Sequence, residues 1–156
     1  MTVRRHFVDG RYGQIHLRCA GQANAPRPPI VCLHQSPKSG RQFADLLAQL
    51  GQDRFAIAPD YPGMGESDPP PAEPHVTIAD YAAAALEALD AFTEAPFHVA
   101  GHHTGAMVAA RLAQAMPDRV LSVTSIAAPV LTDDEAAALD AAFAPLPLDE
   151  AGTRYK

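Results

Sequence analysis

Apolar residues in this chain follow two rhythms that take turns along its length. Residues 3–8 and 15–19 alternate as half-buried strands do, with Asp9-Gly10 and Gly13 supplying a turn between them. After a proline-rich connector over 25–29, the run Ile30-Val31-Cys32-Leu33 is apolar throughout, as a strand buried on both faces requires. Residues 55–58, 97–100 and 120–126 read as further strands. Between these runs the period lengthens. Residues 42–50 put Phe43, Leu46, Leu47 and Leu50 on one helical face, and Gly51 supplies the stop. Thr77-Ile78-Ala79-Asp80 forms a capping box with Asp in place of the usual Glu, opening an alanine-rich helix to about residue 92. A helix over 103–116 follows the strand at 97–100. Pro129 then breaks the chain, and Thr132-Asp133-Asp134-Glu135 caps a short helix to about residue 143, ahead of an irregular tail over 145–156.

Strands that alternate with helices after an antiparallel start predict an α/β sheet wound with right-handed crossovers. Chemistry in such sheets gathers at the carboxyl ends of the strands. Three of those ends carry unusual residues, at 34–40, 60–68 and 101–105. The middle one opens a long loop whose prolines at 62, 69, 70, 71 and 74 exclude regular structure.

Composition narrows the function without naming it. A chain of 156 residues suits a single domain, and a formal net charge of −6 gives no electrostatic case for nucleic acid or an anionic membrane. Arg4 and Arg5 are not followed by an apolar signal core, and no apolar stretch nears the length of a bilayer span, so a cytoplasmic protein is expected. Cys19 and Cys32 sit in strand-like contexts without a CxxC spacing and read as buried thiols. Gly63-Met64-Gly65 lacks the third glycine and the following helix of a dinucleotide fingerprint, and Pro37-Lys38-Ser39-Gly40 is not a phosphate-binding loop. No cofactor is implied. No metal is expected either, because His102 and His103 diverge as neighbours on a turn and lack ligand-spaced partners.

Gly101-His102-His103-Thr104-Gly105 has the two glycines of a strand-to-helix nucleophile turn, with His103 where that turn presents a serine. Together with His34-Gln35-Ser36-Pro37 and the run from Asp60 to Asp68, it resembles the α/β-hydrolase fold family over nearly the whole chain. The middle segment is similar to that family's D-x-P-G-x-G-x-S-D stretch, and the first to its H-G-x-P stretch with Gln35 for glycine. The resemblance implies a mostly parallel sheet with an antiparallel N-terminal hairpin, ending after about the sixth strand. Residues 1–131 would form a partial core and residues 132–156 the start of a cap or an irregular tail. It also implies an oxyanion hole made by the backbone N–H groups of Ser36 and Thr104, shaped by His34, Gln35, Gly101 and Gly105. If position 35 needed positive φ, glutamine there would be strained by about 1 kcal/mol. Asp60 and Ser67 are expected to make local hydrogen bonds.

His103 reopens the chemistry. Imidazole can attack a carbonyl itself or serve as general base to water, and its ordinary pKa of about 6.5 suits both. A helix N-terminus favours its neutral form. Three readings stand: His103 is catalytic, the fold is a ligand-binding or inactive relative, or Thr104 or Ser36 supplies a hydroxyl. His102 is expected to face the helix–sheet packing, and His34 to order its loop. His6, His16, His75 and His98 have no partner pattern. The substrate class implied is a small ester-like or other carbonyl compound. The family's acid and catalytic histidine belong to later strands, so the chain is expected to be a fragment, or a short member completed by a partner, and inactive alone. Its last strand would then be an exposed edge prone to self-association.

Overall fold

The computed structural model describes residues 1–142, and the tail expected over 145–156 lies outside them. Its six strands are β1 (Arg4–Gly10), β2 (Gly13–Ala20), β3 (Arg27–Leu33), β4 (Arg54–Pro59), β5 (Phe97–His102) and β6 (Val120–Ile126), in the order β1-β2-β4-β3-β5-β6. β1, β2 and β4 pair antiparallel, while β4, β3, β5 and β6 run parallel. The mostly parallel sheet with an antiparallel N-terminal hairpin is therefore as the sequence predicts. From β3 the chain steps to one side to make β4 and then to the other to make β5. The carboxyl ends of β3 and β5 thus flank the crevice where such sheets place ligands.

Period-two burial on both faces makes the central strands wholly apolar. Val31 and Leu33 of β3, Phe55 and Ile57 of β4 and Val99 of β5 face a core shared with α2 (Ile78–Asp90) and α3 (Thr104–Ala115). Cys32, Ala56 and Ala58 face the other way, onto Phe43 and Leu47 at α1 (Ala44–Leu50). Leu46 departs from the expected helical face and is 41% exposed. The reason is local: a 3-10 turn, Gly40–Phe43, precedes α1 and shifts its phase. The proline-rich connector is also partly strand. β3 begins at Arg27 and shifts register between Arg27 and Ile30, which takes Pro28 and Pro29 out of the ladder.

The capping box at Thr77 and Asp80 is complete, and Thr132 with Glu135 makes a second one at α4 (Asp133–Ala142). Cys19 and Cys32 are free and buried, and burial pushes the Cys32 thiol up to about 12. Along β6 the outer side has no strand beside it among the described residues, and Leu121, Val123 and Ile126 stay 41–50% exposed. None of the described helices is long and apolar enough to cross a membrane.

Candidate active site

The turn after β5 is built by close backbone contact. A Cβ on Gly101 would strike the carbonyl of Gly105, and one on Gly105 would strike the carbonyl of Leu33, so glycine alone fits at both positions. This seats the start of α3 on the ends of β3 and β5. His103 caps that helix instead of joining it, at φ 54° and ψ −116°. Those angles match the first central residue of a type II′ turn, where glycine is favoured, and a histidine held there is strained by about 1–3 kcal/mol. Its N–H donates to the Ile126 carbonyl (2.9 Å) and its carbonyl accepts from the Ala106 N–H (2.8 Å), which fixes the backbone at both ends.

The side chain of His103 is exposed. Its Nδ1 stands 3.5 Å from Thr104 Oγ1, too long a contact to fix the tautomer. The same hydroxyl oxygen accepts a 3.4 Å hydrogen bond from the Ser36 N–H, so the loops after β3 and β5 meet at Thr104. Thr104's own N–H has no backbone partner among the described residues, as expected for the first residue of a helix. Gln35 is not among the positive-φ residues, so no backbone strain arises from glutamine at that position.

His34 is fully buried. Its Nδ1–H donates to the Gln35 carbonyl (2.9 Å) and its Nε2 accepts from the Tyr61 N–H (3.2 Å), so one neutral tautomer ties the β3 loop to the β4 loop. Burial lowers its pKa, which keeps that tautomer neutral. Tyr61 is sandwiched between the His34 and Tyr81 rings, at centroid distances of 4.1 and 4.7 Å, and burial raises its hydroxyl pKa.

Three histidines differ from expectation, His98 through a 2.8 Å hydrogen bond between its Nδ1 and Ser122 Oγ. His102 does not face the packing: it is half-buried, and its Nδ1 accepts from Gln42 Nε2 at 2.9 Å. The Gln42 Oε1 lies 3.5 Å from the Gln35 N–H, so Gln42 bridges the two loops. His16 has a partner after all, since its buried Nδ1 donates to Asp60 Oδ2 at 2.8 Å. Asp60 also accepts from the N–H groups of Gly40 (2.6 Å) and Glu66 (3.0 Å), and its carbonyl accepts from Ser67 Oγ (2.9 Å). Neither the His102 link nor the His16 link was readable from spacing, because the partners lie 60 and 44 residues apart. Among the described residues no group of three or more His, Cys, Asp or Glu is placed to hold a metal.

The model of the α/β-hydrolase fold family matches residues 28–153. This chain belongs to that family. The structure is similar to the thioesterase domain of the curacin biosynthetic pathway, with TM-score 0.77 and 20% identity, covering 91% of this chain and 52% of the other. It is similar to the epoxide hydrolase CorEH, with TM-score 0.75 and 22% identity over 91% of this chain and 51% of that one. An epoxide hydrolase from an endophytic Streptomyces shares 27% identity at TM-score 0.71, covering 79% of this chain and 36% of its own. The chain thus spans about half the length, or less, of these α/β-hydrolase-fold structures.

Proposed function

We propose that this α/β-hydrolase-fold chain belongs to a hydrolase of a small ester-like or other carbonyl substrate, and that His103 is the group that reacts. One observation carries the reading: an exposed imidazole is held at the strained apex of the turn after β5, beside a helix-terminal N–H that has no backbone partner among the described residues. Strain of this kind persists only where the surroundings enforce it, and it clusters at sites of chemistry.

As nucleophile, a neutral imidazole nitrogen bonds to the carbonyl carbon, the leaving alkoxide departs with a proton, and water then hydrolyses the acyl-imidazole. As general base, the same nitrogen takes a proton from the attacking water. In both routes the N–H of Thr104 receives the oxyanion. Ser36 N–H joins it by leaving the Thr104 hydroxyl, a long hydrogen bond that is readily exchanged. The acid and second histidine that the family carries on later strands would complete turnover. Acyl transfer to His103 is the step this chain can perform. Residues 1–131 are the core in this scheme, and the helix Asp133–Ala142 is the first element of a cap.

The test is p-nitrophenol release from p-nitrophenyl acetate by the chain, by His103→Ala, and by His75→Ala as a control for an exposed histidine in a loop. A rate that falls at least tenfold in His103→Ala and holds in His75→Ala supports the proposal. Equal rates in all three remove His103 from the chemistry. They would favour the second reading, a ligand-binding or inactive relative, which rests on the Ser36 N–H being already occupied by Thr104 Oγ1.

A further inference from the structure

An open cleft of about 590 Å³ lies beside the turn and is lined by Pro37, Lys38, Ser39, Arg41, Gln42 and Gly65. It does not include His103, but it shares two walls with the candidate site. Lys38 is two residues beyond Ser36, whose N–H meets Thr104. Arg41 directly precedes Gln42, whose amide reaches His102. Lys38 and Arg41 are the only charged residues of the lining, and both carry positive charge. Neither lies within ion-pair distance of a carboxylate among the described residues, which is also true of Arg4 and Arg111, whereas Arg5, Arg11, Arg18, Arg27, Arg54 and Arg119 all do. Of the carboxylates around the lining, Asp60 is buried against His16 and Glu66 faces Arg5 and Arg18, while exposed Asp45, four residues after Arg41, forms no ion pair among the described residues. On a chain of net charge −6, two cations without an ion pair among the described residues share this one concave wall.

We infer that this cleft binds an oxyanion, a carboxylate or a phosphate, carried by the substrate on the side remote from the reacting carbonyl. The lining suits that group. Lysine offers a mobile point charge, arginine a planar fork of donors, and the Ser39 hydroxyl and Gln42 amide add neutral donors. Both cations are exposed, so each contact is modest and screened by salt. Two together shift binding by about tenfold. The inference rests on the reading of His103 above, and it refines the substrate to an anionic ester.

The test compares acylation of His103 by p-nitrophenyl acetate and by the p-nitrophenyl monoester of succinate, which carries a free carboxylate. The expected result is a succinate-to-acetate rate ratio above one that falls about tenfold in the double variant Lys38→Gln/Arg41→Gln and falls with added salt. A ratio at or below one, or one that the double variant and salt leave alone, overturns the inference while the His103 reading stands. If neither ester acylates His103 or is hydrolysed in a His103-dependent way, that reading fails, and titration of the backbone amide resonances of residues 38–42 with succinate decides the cleft alone. Shifts that vanish in the double variant support an anion site, and no shifts overturn it.

Discussion

The loop after β4 and the turn after β5 sit at the same end of the sheet and are built on opposite principles. In the first, buried Asp60 accepts from His16 Nδ1 and from the N–H groups of Gly40 and Glu66. In the second, His103 carries an exposed side chain on a left-handed backbone, and among the described residues its ring has one polar neighbour, Thr104 Oγ1 at 3.5 Å. A satisfied buried network rigidifies its surroundings, whereas strain without side-chain support lowers stability. The contrast teaches which residues hold the site and which are held by it: Asp60 and His34 fix the loops, and the loops fix His103.

Breaking the supporting side has the largest expected effect. Asp60→Ala leaves three donors without their acceptor and should lower the unfolding free energy by about 3–5 kcal/mol in urea titrations. A loss near zero would show that the network is ornamental. Next comes Gly105→Ala, whose Cβ must displace the backbone carbonyl of Leu33. It should be destabilising by about 2–3 kcal/mol, and no flexible side chain is there to yield. On the strained side the sign reverses. His103→Gly relieves a positive-φ residue and should raise stability by about 1 kcal/mol while abolishing ester reactivity. A destabilised His103→Gly would mean that the imidazole supports the fold, and the comparison would collapse.

The smallest effect on stability is expected in the middle of β6, away from the Ile126 end that holds the His103 N–H. Val123 is 41% exposed on a strand whose outer edge is unpaired among the described residues. Val123→Lys should change unfolding by no more than about 0.5 kcal/mol yet reduce self-association in sedimentation, as a charge on a sheet edge does. Equal sedimentation of both proteins would show that this edge does not drive association.

Most of the fold is legible in the sequence because its signals are local. Continuous apolar runs mark β3, β4 and β5, Thr77 and Thr132 with their acidic partners mark two helix starts, and Gly101 and Gly105 mark the turn. What fails to show depends on structure outside each element's own pattern. The phase of α1 depends on a preceding 3-10 turn, so Leu46 leaves the core. The Pro28-Pro29 segment reads as a connector because a register shift that accommodates prolines leaves no mark in composition. His16 with Asp60, and Gln42 with His102, meet only through sheet order. A buried acid beside a glycine-rich loop is a weak hint of such a hub, and it names no partner.

That His103 is the reactive group is tested most directly by locating the acyl group. The chain is mixed briefly with p-nitrophenyl acetate, quenched, digested and mapped by mass spectrometry. The account predicts that His103 is acetylated at least tenfold faster than the exposed His75. Comparable labelling of the two, or labelling of Thr104 or Ser36 in place of His103, would contradict it.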